Sequence, residues 1–493
     1  MSTVKILHKI REATGAAVTT GLTDEQIQSL EKDFPEISEA AKCAEEEFNR
    51  LQSEFGELLK KPEMDLIKEL QKDIINFYPE AQTNPYISLS AKGPWLITSH
   101  GALLHDSGGY GMLGLGHDPV AIKKAMGKNQ VMANVMTANF SQLRCTNLLN
   151  KEIGHTRKQR PYSKYIFMNS GSESVTVASR ICDVLAKKNT DPDGMHAGKT
   201  IKLLGNKGGF HGRTDRPAQV SSSSLKNYQV LASFRDRHNL ETVLPNDVSD
   251  LEKKFKWAED NNVYFEAFFI EPVMGEGDPG KAMTRQYYDK ARELTKKMNT
   301  LLIVDSIQAA IRATGCLSIC DYPGFEDCEA PDMETYSKAV NAGQYPLSIL
   351  ALTDRAADLY IRGIYGNTMT TNPRSLDVAC AVLEGLTPEF RQNIRDRGIE
   401  FLEKLNALKE ETGDIITDVQ GTGLLFSAAI NPKIFKVVGF DDLEVYLRRH
   451  GIGVIHGGEN ALRFTPHFRI TSKEVDLIIE SMRDAFKNAP GVK

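Results

Sequence analysis

The chain has 493 residues, 41% hydrophobic and 25% charged, with a net charge of −5 at pH 7. That length supports two or three domains with full cores. The acidic balance, with no Lys/Arg block, excludes a general attraction to nucleic acid. No run approaches the roughly 20 apolar residues of a membrane-spanning helix. Seven cysteines in so long a chain make no disulfide framework and point to a reducing compartment.

Met1 to Leu22 carries Lys5, Lys9 and Arg11 but no apolar h-region, so export is not expected. Glu12 is its only acid, which leaves an organelle matrix as the alternative to the cytoplasm. Residues 24 to about 80 read as helices rich in Glu and Lys, with Ile27, Leu30, Phe34 and Ile37 spaced for one buried stripe. This stretch carries no chemistry and reads as a packing or dimer-supporting extension, with partner binding as the other reading. From Trp95 short apolar runs alternate with amphipathic stretches: Tyr165–Met168 then 174–188, Tyr264–Ile270 then 283–298, Leu301–Val304, and Ser348–Leu352. The alternation predicts βαβ units around a mostly parallel sheet, with ligand beyond the carboxyl ends of the strands.

After Asn372-Pro373 a helical pattern runs to about Glu411. Short strands follow near Gly423–Ile430, Gly453–His456 and Leu462–Phe464, then a helix over Ser472–Phe486 opened by a Thr471/Glu474 capping box. The expected architecture is therefore α/β. Residues 1–100 form a helical extension that also contributes to a small domain, 101–375 a large cofactor-binding domain, and 376–493 a smaller α+β C-terminal domain. Cys316, Cys320 and Cys328 cluster, but without CxxC pairing or a histidine near them in sequence, so no metal site is expected.

Four segments carry the chemistry. Asn169-Ser170-Gly171-Ser172-Glu173 follows a strand and opens a helix, where free amides and the helix dipole favour an anion. Gly171 lets backbone approach and Ser172 adds a hydroxyl; alone, the segment reads as an ordinary cap, since Ser/Gly caps are common. Phe210-His211-Gly212 follows a flexible Lys207-Gly208-Gly209 and offers a flat ring for stacking, or merely a core phenylalanine. Asp305 closes the apolar run Leu301–Val304, and a carboxylate there is costly unless paired. A protonated pyridine nitrogen is such a partner. Ile307 would press the ring's other face and Gln308 would meet its phenolic oxygen. Lys338 follows one βαβ length later and supplies an amine for an aldehyde. Phosphate cradle, aromatic plate, acid and amine together match pyridoxal 5'-phosphate.

These segments, with Glu271-Pro272-Val273-Met274-Gly275-Glu276-Gly277, Gly366–Pro373 and Arg463-Phe464-Thr465-Pro466, resemble the class III pyridoxal-phosphate-dependent aminotransferases, which include ornithine, lysine and γ-aminobutyrate transaminases. The likeness covers roughly three-quarters of the chain. It implies a fold type I homodimer with shared active sites, Lys338 as the Schiff-base lysine, Asp305 at the pyridine nitrogen and Gln308 at the phenolic oxygen. It adds His211 to the cofactor shell and assigns Thr368 to the neighbouring subunit's phosphate. Glu276 and Arg463 match a pair in which Arg463 binds an α-carboxylate and Glu276 masks it. Departures stand at Ser306 (relatives carry Glu), Phe210 (Tyr), Met274 (Gln) and Asn367–Pro373, which lacks the usual glycines. The implied reaction is ping-pong transfer of an amino group from an ω-amino donor such as lysine, ornithine or γ-aminobutyrate to 2-oxoglutarate. The alternatives are an aminomutase or amino-acid racemase on the same fold, or a non-catalytic binding protein.

Overall fold

The apolar runs between residues 164 and 352 become seven strands of one sheet. They are β1 (Lys164–Met168), β2 (Thr200–Asn206), β3 (Leu240–Val243), β4 (Val263–Ile270), β5 (Leu301–Asp305), β6 (Met333–Tyr336) and β7 (Ser348–Leu352). In this computed structural model, which describes residues 1–235 and 239–492, they lie in the order β1-β7-β6-β5-β4-β2-β3. Only β7 runs antiparallel to its neighbours; β6, β5, β4, β2 and β3 pair in parallel. Every residue of β4, β5, β6 and β7 is buried, as continuous apolar strands covered on both faces must be. The period of two divides them between two cores. Phe268, Leu302 and Val304 face Tyr287 and Tyr288 on one side, while Phe269, Leu301 and Ile303 face Val175 and Ile181 on the other.

Helices α1 (Gly171–Thr190), α2 (Val248–Asp260), α3 (Arg285–Lys297) and α4 (Pro373–Glu384) accompany this sheet. Each of the first three starts on a side-chain cap: Ser170, Asp247 and Thr284. The mostly parallel α/β architecture expected from the alternation is present, with strands within a residue or two of the predicted runs. β3 and β6 escaped sequence reading because β3 is only half-buried and β6 carries Glu334 and Thr335 among its four residues.

Two compact units divide the chain: Met1–Val120 with Asp396–Gln420 and Phe426–Lys493, and Ala121–Arg395 with Gly421–Leu425. The second holds the seven-stranded sheet. In the first, helices Thr3–Ala13, Asp24–Leu30, Pro35–Leu59 and Glu63–Gln71 stand beside a four-stranded sheet of Ser88–Lys92, Trp95–Thr98, Leu103–Asp106 and Ile452–Gly453. The stripe of Ile27, Phe34 and Ile37 is buried, but Phe34 and Pro35 split it between two helices. Helix ends at Gln71, short of residue 80. The long pattern after Pro373 is likewise two helices, because Gly385–Thr387 interrupts it before Pro388–Thr412. The strand near Gly423 begins at Leu425; Gly423, at φ +56°, turns between it and a strand Ile416–Thr422 that sequence reading missed. The Thr471/Glu474 capping box forms as expected. Among the described residues, no helix is long and apolar enough to cross a membrane.

Asp332, at the entry to β6, is fully buried and collects Arg292 Nη1 of α3 at 2.6 Å, Arg355 Nη1 at 3.1 Å and the Leu302 amide at 2.9 Å. Removing one partner of a buried pair strands the other charge. Asp332→Ala is expected to cost about 3–5 kcal/mol in urea unfolding, because the buried Arg292 then keeps only the half-exposed Glu329 as a partner.

Candidate active site

The carboxyl ends of β5 and β4 place two acids where their apolar runs stop. Asp305 closes β5 and is 4% exposed. Its Oδ1 accepts from the Ile307 amide and from Thr335 Oγ1 on β6, each at 3.1 Å. Its Oδ2 accepts from His211 Nδ1 at 2.9 Å. His211 is buried, its amide donates to Ser221 Oγ at 2.8 Å, and its Nε2 finds no hydrogen-bond partner among the described residues. Burial disfavours the charged imidazole, but Asp305 outweighs it and raises the His211 pKa.

Glu271 follows β4 directly. Its two oxygens accept from the Phe210 amide at 3.0 Å and the Gly275 amide at 2.9 Å. One carboxylate therefore fastens the loop 207–212 to the loop 271–277. Burial lifts its pKa to about 7; His211 opposes the rise and Asp305 adds to it. The loops also meet backbone to backbone, since a Cβ on Gly277 would lie 2.1 Å from the Gly208 carbonyl oxygen.

Lys338 opens a four-residue helix (Lys338–Asn341) immediately after β6 and Ser337. Its Nζ donates to Gln308 Oε1, and Gln308 Nε2 donates to the Gly275 carbonyl at 3.2 Å. Amine, amide and buried carboxylate are thus joined through the turn 305–308. Gly171 begins α1 with Ile307 packed against it; a Cβ there would come within 2.6 Å of Ile307 Cδ1. Ser172 Oγ sits over Gly212, where a Cβ would approach it to 2.4 Å and the φ of +118° already disfavours a side chain. Phe210 is partly buried, with the Arg213 guanidinium 5.3 Å from its ring centroid. Glu276 Oε1 lies 3.7 Å from Arg213 Nη2.

The structure therefore brings together Gly171, Ser172, Phe210, His211, Asp305, Ile307, Gln308 and Lys338, with Glu276 beside Phe210 through Arg213. Thr368 is exposed, yet its loop is tied to the first turn of α1, because Asn367 Nδ2 donates to Glu173 Oε1 at 2.7 Å. Arg463 belongs to the first unit, buried on strand Ala461–Phe464 opposite Ser427. Sequence reading missed Glu271, Thr335 and Arg213 as individual contributors. Glu271 was open to the argument used for Asp305, since it too is an acid at the end of an apolar strand. Arg213 gave no such signal. The three clustered cysteines gain a histidine that sequence distance hid, for Cys316 helps to raise the pKa of His155 to about 9.

The residues fit pyridoxal phosphate on their own geometry. Three donors reach Asp305, one fewer than an ionised carboxylate accepts. The glycine-opened start of α1 suits a phosphate, and the Lys338 amine is delivered on the side of Gln308.

A family model described as "Aminotransferase class-III" matches residues 77–486. The chain is 29% identical over 322 residues to an ornithine aminotransferase of Saccharomyces cerevisiae, covering 64% of this chain and 73% of the yeast protein. It is 27% identical over 400 residues to a succinylornithine transaminase of Citrobacter koseri, covering 79% and 90%. Among solved structures, the ornithine aminotransferase of Toxoplasma gondii ME49 superposes with a TM-score of 0.73 at 23% identity, covering 89% of this chain and 98% of that one. An amine transaminase from an uncultivated Pseudomonas species, solved in its PLP-bound form, gives 0.70 at 19% identity, covering 85% and 98%.

Two groups in this site load stability toward acid pH. Glu271 binds its proton more tightly folded than unfolded, so the folded state gains relative stability below its ordinary carboxylate range and loses it as pH climbs through about 7. His211, also raised, contributes below its ordinary imidazole value and loses that contribution as pH passes its folded value. Thermal midpoints of the cofactor-free protein should therefore fall between pH 5 and pH 8, and Glu271→Gln should flatten part of that slope.

Proposed function

From the premise that the chain belongs to the class III pyridoxal-phosphate-dependent aminotransferases, we propose that it moves an amino group from an ornithine-type ω-amino donor to 2-oxoglutarate, donor and acceptor occupying one site in turn. The contact of Lys338 with Gln308, three residues beyond the buried Asp305–His211 pair, carries this reading. The names of the relatives, ornithine and succinylornithine transaminases, support the donor class.

Pyridoxal phosphate, when bound, supplies an aldehyde for amine exchange and an electron sink for the donor carbon. The residues do the rest. Start-of-helix amides at Gly171 and the Ser172 hydroxyl take the phosphate. Asp305, backed by His211, holds a proton at the pyridine nitrogen, and Phe210 and Ile307 flank the ring. Gln308 steadies the amine of Lys338, which would serve as the base for the proton on the donor's amine-bearing carbon. Arg213, with a guanidinium suited to a bidentate fork, receives the donor's carboxylate. Glu276, beside Arg213, is the acid that yields when the oxo acid's carboxylate arrives.

A homodimer is part of this reading. Met132, Met136 and Phe140 are 92%, 89% and 78% exposed, and Asn134 ties their segment to the Thr368 carbonyl at 3.0 Å. Solvated apolar side chains in such number mark a contact surface, and a second copy related by a two-fold axis is the commonest way to cover one. Thr368 then serves the neighbouring subunit's phosphate. Seven free cysteines support a reducing cytoplasm.

Borohydride treatment of the wild type should leave the cofactor's mass on the peptide containing Lys338. Ornithine with 2-oxoglutarate should yield glutamate, and Lys338→Ala should abolish it. Turnover without an oxo acid would instead indicate a mutase or racemase. Replacing Met132, Met136 and Phe140 together by Ser should shift the protein to a monomer in size-exclusion chromatography and remove activity.

A further inference from the structure

Glu334 is a fully buried acid in the middle of β6, directly opposite Val304, with Thr335 opposite Asp305. Its Oε1 accepts from Ser306 Oγ at 2.5 Å and from the Ile319 amide at 3.0 Å. Its Oε2 accepts from Ser318 Oγ at 2.5 Å and Tyr162 OH at 2.8 Å. Four donors fill the acceptor sites of a carboxylate, and none of the four is a cation. Burial pushes the Glu334 pKa up, against those donors. Such an acid is an expensive way to fill a sheet interior, and nothing in the proposed reaction touches it.

Its partners explain it. Ser306 is the residue between Asp305 and Ile307, on the turn that also carries Gln308. Glu334 itself stands four residues before Lys338, on the strand that leads to it. We propose that Glu334 is a positioning residue, whose carboxylate clamps the Asp305–Gln308 turn to the strand delivering Lys338 and so fixes the spacing between acid and amine. This rests on the roles of Asp305 and Lys338 given above.

Two arms of the same carboxylate separate positioning from mere support. Ser306→Ala frees the turn; Ser318→Ala cuts a bond of equal length from the same carboxylate to the segment 318–321 instead. Glu334→Gln keeps the volume and part of the bonding. All three are measured as cofactor-loaded enzyme, by thermal midpoint, by titration of the visible spectrum with pH, and by kcat and KM for ornithine. The expected result is that Ser306→Ala and Glu334→Gln lower kcat about tenfold, as sub-ångström misplacement does, and shift the spectral titration, with KM within about twofold. Ser318→Ala should lower the thermal midpoint alone. If Ser306→Ala and Ser318→Ala behave alike, or if all three lose only stability, Glu334 is a strut and the proposal falls. A wild type that carries no cofactor on Lys338 would instead overturn the underlying reading of the site.

Discussion

A carboxylate at the end of a buried strand is the constraint on which the site depends. Asp305 lies where β5 leaves a core that offers no water, so each of its acceptor sites needs a donor from the protein or a ligand. The Ile307 amide, Thr335 and His211 provide three. Those three come from the turn itself, the next strand and a distant loop, so satisfying one charge organises three parts of the unit. His211 could not stay buried without Asp305, and the loop 207–212 could not hold His211 there without Glu271 gripping the Phe210 amide.

The sheet makes that arrangement affordable in structural terms. Parallel strands covered on both faces expose polar backbone only at their ends, and the ends of β4, β5 and β6 deliver Glu271, Asp305 and, just beyond, Lys338. Reactive groups therefore sit on the stiffest part of the fold rather than on free loops. The glycines at 171, 212, 275 and 277 complete the scheme, because each lets another segment come closer than a Cβ would permit.

Much of this was legible in the chain. Leu301–Val304 and Tyr264–Ile270 announced buried strands because runs of apolar residues have little else to be, and Asp305 stood out against that background. The cradle at Gly171, the plate at Phe210 and the amine at Lys338 gained meaning from their order. What stayed hidden depended on pairing between distant strands. β6 could not be seen, since Glu334 and Thr335 make it look like a loop; the Ser306, Ser318 and Tyr162 hydroxyls with the Ile319 amide explain how an acid lives there. Arg213 is one charge among sixty until Phe210 and Glu276 are placed beside it. The breaks at Phe34-Pro35 and Gly385–Thr387 were missed because amphipathic spacing continues across them.

The first unit is stitched from segments far apart in the chain. Its strand Leu103–Asp106 is covered at the sheet's edge by Ile452–Gly453, with His105 aligned to Ile452, and His105 Nε2 meets Glu474 at 3.1 Å. A ribosome making this protein releases the early half of that sheet long before its closing strand exists. Through most of synthesis Leu103–Asp106 presents an unpaired rim, the kind of edge that invites wrong partners. Closure therefore waits for Ile452–Gly453, which is synthesised after every residue of the second unit.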